Sequence, residues 1–195
     1  HYFDVFAHLK GGQHFGQHTE LSLSHDAIEA QVYDYALLQD QSMAAAFYAD
    51  KPDEYAHVPE NFVKLADMVL AHSPECKLIL EHTWGYKKED CKGFKTIEKF
   101  NDMLREGCAT IAALKNAEIS HIGDAFIAVD TKKLGNSLHA SDDHHQSYYG
   151  SYLKACVNYL MITGEPFNEN VANCGIDPQK AEILRKAAEK TVLGE

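Results

Sequence analysis

The chain has 195 residues, 45% of them hydrophobic and 24% charged, the composition of an ordinary globular domain long enough to bury a sizeable core. A formal net charge of −11 at pH 7 opposes polyanionic partners, which excludes nucleic acid and an anionic membrane surface as main targets. No apolar run reaches membrane-spanning length, and the five cysteines (Cys76, Cys91, Cys108, Cys156, Cys174) form no CxxC pair, which speaks against a structural zinc site.

The first residues, His1-Tyr2-Phe3-Asp4-Val5-Phe6, carry neither an initiator Met nor a signal peptide. An exported precursor freed of its leader has the same start, so a periplasmic or secreted location is favoured over a cytoplasmic one. Tyr2 to Leu9 reads as the first strand. Lys10-Gly11-Gly12-Gln13-His14 follows it, and the double glycine suits a tight turn. His14 and His18 are four apart, the spacing of one helix face, but Gly11, Gly12 and Gly16 weaken a helix there.

Tyr33 to Leu38 is the second predicted strand, followed by Gln39-Asp40-Gln41-Ser42. A helix is expected over Pro59 to His72, with Phe62, Leu65, Ala66, Val69 and Leu70 at helical spacing. Lys77 to Glu81 (KLILE) is the third strand, followed by His82-Thr83-Trp84-Gly85-Tyr86. The second and third strands are nearly unbroken apolar runs, as expected of parallel strands covered on both faces.

Phe94 to Leu114 shows helical spacing, and Ile119 to Ile122 (ISHI) reads as a fourth strand. Helices over Ser147 to Thr163 and from Pro178 onward close the chain, the last with Asp177 as N-cap and Pro178 at its first position. Cys108 and Cys156 fall within helical apolar patterns and read as small core residues, and one disulfide is compatible with the cysteine count.

Strands alternating with helices predict one α/β domain over residues 1–195, a three-layer α/β/α sandwich with a mainly parallel, flavodoxin-like sheet. Sites in such sheets lie beyond the carboxyl ends of the strands, where this chain concentrates polar and aromatic residues.

Asp142 precedes His145 by three residues, and Gln146-Ser147 then opens a helical pattern. A carboxylate can fix the tautomer of such an imidazole and stabilise its protonated form, as an acid–base pair for hydroxyl activation requires. A solvated polar loop is the plainer reading of the same four residues.

Further blocks give the pair a context. The segment DDHHQSYYGSYLKACVNYLMITGEPF resembles the last block of SGNH-type (GDSL-like) hydrolases, where an Asp-x-x-His pair precedes the final packed helix. LLQDQS, Leu37 to Ser42, resembles the Gln-Gly-Glu-Ser-type block of the carbohydrate-esterase branch, which includes sialate O-acetylesterase-like proteins. Gly11-Gly12 resembles the family's oxyanion glycine block, and Glu81-His82-Thr83-Trp84 extends the likeness over most of the chain.

The resemblance implies His145 as general base and Asp142 as its orienting acid, with the Gly12 N–H (or that of Gly11) and the Gln39 side chain as oxyanion donors. It implies ester hydrolysis through an acyl-enzyme on O-acyl groups of carbohydrate, with a small-molecule or carbohydrate ester as partner and no cofactor. Gly11, His14, Ser42, His82, Trp84 and His144 are candidate substrate-binding residues, and the aromatic rings of Trp84 and Tyr86 suit a sugar face. Taken alone, Gln39 also suits a strand-end amide, Ser42 a support for the Gln39 loop, Trp84 plain packing, and His144 a solvent-facing position.

The family's nucleophile sits in a Gly-Asp/Asn/Gln-Ser block before the glycine block, yet the ten residues before Gly11 contain no serine. The family's sheet has five strands and four are read here, so the first strand and its serine are expected upstream of residue 1. Two other readings compete. The chain's 12 histidines, with His14, His18, Asp142, His144 and His145 foremost, suit a metal-dependent hydrolase, although HExxH is absent. A carbohydrate-binding relative without turnover is the third.

Overall fold

The structure is a computed structural model that describes residues 2–87 and 93–194. Nine helices and three strands are present among the described residues, in an α/β arrangement. In chain order they are α1 (Phe15–His18), α2 (Ser22–Glu29), β1 (Tyr35–Leu38), α3 (Ala44–Asp50), α4 (His57–His72) and β2 (Lys77–Glu81). Then come α5 (Ile97–Ala113), β3 (Glu118–Ser120), α6 (Ile122–Ala128), α7 (Thr131–Leu134), α8 (Tyr148–Thr163) and α9 (Pro178–Val192).

The strands form one sheet in the order β1-β2-β3, and β1 runs parallel to β2 in the register Tyr35 to Lys77 through Leu38 to Leu80. Burial explains why KLILE is the middle strand. Leu78, Ile79, Leu80 and Glu81 are all buried, which only a strand covered on both faces permits. None of the described helices is long and apolar enough to cross a membrane.

The chain divides into two compact units. The first comprises the residues up to Leu80 with Glu106–Ile119. Its core joins Phe15, Val58, Phe62, Leu65, Ala66 and Val69 to Leu38, Leu78, Leu80, Cys108 and Ile111. Phe62, Leu65, Ala66 and Val69 form one face of α4, so helical periodicity becomes burial directly. Gly107 in α5 is required here, because a side chain would strike the Ala45 carbonyl of α3.

The second unit comprises Glu81–Arg105 and the residues from Ser120 onward. Its core packs α6, α8 and α9 around Phe126, Leu153, Val157, Leu160 and Leu184, with Trp84 against Phe126. Asp177 caps α9 by accepting the N–H groups of Gln179 and Lys180, with Pro178 at the first position. Under this core, the buried Glu81 carboxylate accepts from Lys154 Nζ at 2.6 Å and Asn158 Nδ2 at 2.8 Å.

Three expectations need correction. Tyr2 to Leu9 is not a strand: it pairs with no described strand, and Tyr2, Val5 and Leu9 stay exposed. A β-prone run needs a partner's N–H and C=O groups as well as its own apolar side chains. The predicted fourth strand is shifted, because β3 ends at Ser120 and Ile122 already begins α6. A short helix does form at Phe15–His18 despite its glycine; Gly16 leaves room for the Asn61 side chain, which a Cβ would meet at 2.6 Å.

Cys108 and Cys156 are buried core residues, as their positions predicted. Cys76, Cys108, Cys156 and Cys174 are free thiols, while Cys91 lies outside the described residues.

Candidate active site

The Asp142–His145 pair sits on a hairpin-like loop that leads into α8, in the second unit. Oδ1 of Asp142 accepts the backbone N–H groups of His144 at 3.1 Å and His145 at 3.0 Å. Its other oxygen, Oδ2, lies 2.6 Å from Nδ1 of His145. An aspartate that binds the backbone two and three residues on is an Asx-type turn, which is why the spacing Asp-x-x-His folds locally into a dyad.

An ionised carboxylate only accepts, so the proton of this bond resides on Nδ1 and the Nε2 lone pair is left for a reaction partner. His145's hydrogen bond to Asp142 holds that carboxyl well below the usual carboxylate range, with the His144 N–H next in effect. The His145 side chain is 69% exposed, so Nε2 is open to a substrate.

The loop is held from several sides. Ala140 N–H donates to the His145 carbonyl at 2.7 Å, and Ser147 N–H to the Leu138 carbonyl at 2.8 Å, so the two arms close on each other. Asp143 turns the chain at φ 61°, a left-handed conformation that aspartate tolerates. Lys87 N–H donates to the Asp143 carbonyl at 2.9 Å, and the Trp84 indole N–H donates to the His144 carbonyl at 2.8 Å. His139 Nε2 lies 2.9 Å from the Gly85 carbonyl. Ser147 caps α8 by accepting Gly150 N–H, while its hydroxyl donates to the Ser137 carbonyl. Gly150 is needed there because a Cβ would approach the Leu138 carbonyl to 2.3 Å.

These bonds give several predicted residues different work. Trp84 is buried, stacks on Phe126 with ring centroids 4.9 Å apart, and spends its N–H on the loop, so it supports His144 rather than offering a face to a sugar. His82 is fully buried and likewise offers no ring face to a sugar. Tyr86 is half-buried and lies against His144 at 5.3 Å, and the His144 ring lies 3.9 Å from that of His145. Tyr86 and His144 are thus the aromatic surface beside the base.

The remaining candidates belong to the first unit. Gly11 and Gly12 form the expected turn, Gly12 has φ 71°, and no atom lies within 4 Å of a Cβ built on either. Gln39 directly follows β1. Asp40, which no sequence pattern singles out, ties this loop to α1: its Oδ1 accepts Phe15 N–H at 3.0 Å and Gln41 N–H at 2.8 Å. His14 Nδ1 lies 3.3 Å from the same oxygen, and that hydrogen bond raises the His14 pKa. Ser42 lies half-buried just beyond.

Ser24 has a histidine context that sequence spacing concealed, with His8 Nε2 at 3.0 Å and His18 Nδ1 at 3.2 Å from its hydroxyl. It is buried within α2, a poor place to meet a substrate.

Two side-chain groups have metal-ligand spacing. Asp142, His144 and His145 place one ligand atom each within 4.8 Å of one another, and so do His82, His121 and Asp124. In each group one histidine Nδ1 is hydrogen-bonded to the aspartate, His145 to Asp142 at 2.6 Å and His121 to Asp124 at 3.1 Å.

No protein-family model and no curated protein matches the sequence. Solved structures do match. A DUF4886 family protein from Bacteroides uniformis shares the fold with a TM-score of 0.70 and 20% identity, over 87% of this chain and 66% of that one. A "putative SGNH hydrolase" from Slackia heliotrinireducens matches with a TM-score of 0.62 and 22% identity, over 78% of this chain and 80% of that one. The fold is of the SGNH-hydrolase type. The chain spans just under two thirds of the Bacteroides protein, and at these identities the likeness is one of fold.

Proposed function

We propose that the chain is part of an SGNH-type hydrolase that cleaves O-acyl esters, acetyl esters of carbohydrate foremost, with His145 as general base and Asp142 as its orienting acid. The observation that carries the reading is the 2.6 Å contact from Asp142 Oδ2 to His145 Nδ1, with Nε2 left open on an exposed side chain. The SGNH-type fold supports it independently.

In this reaction Nε2 takes the proton of a serine hydroxyl as its oxygen attacks the ester carbonyl. Asp142 stabilises the resulting imidazolium, and the oxyanion accepts hydrogen bonds from N–H donors. His145 then returns the proton to the leaving alkoxide, which departs as the alcohol. Water, activated by the same Nε2, hydrolyses the acyl-enzyme. From the order of the family's blocks, the serine is proposed to lie upstream of residue 1. A sugar as the alcohol is supported by the Tyr86–His144 surface beside the base.

The test is hydrolysis of a small acetyl ester by protein that includes the upstream segment. His145→Ala should lower kcat/KM by about 10³-fold or more, and Asp142→Asn by a smaller factor. Undiminished turnover by His145→Ala would remove the base assignment. A metal-dependent reaction at Asp142, His144 and His145 predicts the opposite response to a chelator: activity lost and restored by zinc, where the serine reaction continues unchanged.

A further inference from the structure

His82, the first residue after β2, is fully buried, yet neither of its ring nitrogens makes a well-formed hydrogen bond. Burial without partners is costly for an imidazole, so the surroundings must be read for what it faces. Nδ1 lies 3.8 Å from Oδ2 of Asp124, and the same oxygen lies 3.1 Å from Nδ1 of His121, the first residue after β3. One ligand atom from each of the three residues falls within a 4.8 Å span. A four-coordinate zinc with bonds near 2.1 Å sets neighbouring ligand atoms roughly 3.4 Å apart. The separations of 3.8 and 3.1 Å from Asp124 Oδ2 bracket that spacing.

We propose that His82 Nδ1, His121 Nδ1 and Asp124 Oδ2 bind a divalent transition metal, zinc by ligand set, with a fourth position open to water. The groups behind these ligands are arranged to serve them. Oδ1 of Asp124 accepts from Asn101 Nδ2 at 2.8 Å and from the Arg105 guanidinium at 2.6 Å, which turns Oδ2 toward the two histidines. Arg105 Nε also lies 3.2 Å from Oδ2. Ligating carboxylates and histidines characteristically have such outer partners.

The second nitrogen of His82 has a matching neighbour. Nε2 and the unpartnered Oδ1 of Asn101 both lie within 3 Å of where a Gly123 side chain would begin, at 2.8 and 2.2 Å. A proton on Nε2, on the Asn101 side of the ring, leaves the Nδ1 lone pair for the metal. Burial holds the His82 pKa down to about 4, so the ring is neutral at pH 7 as a ligand must be. His121 is 37% exposed and gives an ion access from solvent. The Arg105 charge weakens the attraction for a cation, so moderate affinity is expected.

The chain, first stripped by a chelator, is titrated with zinc by calorimetry and with cobalt(II) by visible absorption. One equivalent, four-coordinate cobalt bands and a zinc-dependent rise in Tm are expected. His121→Ala removes a partly exposed ligand outside the core, and it should abolish all three signals, as should Asp124→Asn. His144→Ala should leave them intact. Absence of binding by the unaltered chain, binding that survives both ligand substitutions, or binding lost in His144→Ala would overturn the site.

Discussion

At the scale of single residues, the proposed base is one histidine, and its placement depends on residues distant in sequence. Asp142 fixes the ring of His145, but the loop that carries both is pinned by Trp84, whose indole N–H holds the His144 carbonyl sixty positions away. Trp84→Phe keeps an aromatic ring beside Phe126, deletes that bond and leaves a small cavity. It should lower stability by about 2 kcal/mol. It should also reduce kcat for the acetyl ester by roughly tenfold with little change in KM, because positioning rather than binding is lost. Equal kcat for the two proteins would show that the indole bond merely packs the loop. The dyad was legible from spacing, because an Asx turn is built from neighbours. The role of Trp84 was not, because nothing local distinguishes a supporting indole from a sugar platform.

At the scale of elements, the hairpin-like segment from Leu138 to Ser147 carries the proposed acid–base pair. His139 anchors it to the Gly85 carbonyl, and burial lowers the His139 pKa below its ordinary 6.5. The unfolded chain therefore takes up this proton first as the pH falls. The stabilisation is complete above 6.5 and is lost progressively as pH drops from there toward the folded-state pKa. His139→Gln, which retains a side-chain N–H donor, should lose less Tm than the unaltered protein between about pH 7.5 and 5.5. Parallel pH profiles would contradict the assignment.

The same scale shows which elements could be read in advance. β1 and β2 stood out as continuous apolar runs, and α4, α8 and α9 as amphipathic or capped helices. Phe15–His18 and Thr131–Leu134 span only four residues each, too few for a periodic pattern to emerge. Tyr2 to Leu9 had strand composition, but composition does not supply a partner strand. His82, His121 and Asp124 come together only because two strands end side by side, a juxtaposition invisible along the chain.

At the scale of the whole molecule, two units each build a separate hydrophobic core, with the glycine turn and Gln39 in the first and the Asp142–His145 dyad in the second. The α/β class followed from alternating strand and helix patterns, and the solved SGNH-type structure supports the same fold. The charge of −11 opposes a polyanionic partner. What composition could not reveal is the nucleophile, because a serine becomes one only through the base that reaches it.

Covalent labelling can identify the nucleophile that His145 serves. Protein that includes the upstream segment is treated with a fluorophosphonate, which captures a serine activated by a general base, and the modified peptide is identified by mass spectrometry. A single adduct on a serine upstream of residue 1, abolished in His145→Ala, is the predicted result. An adduct on Ser24 or Ser42, or labelling that persists without His145, would contradict the proposed mechanism.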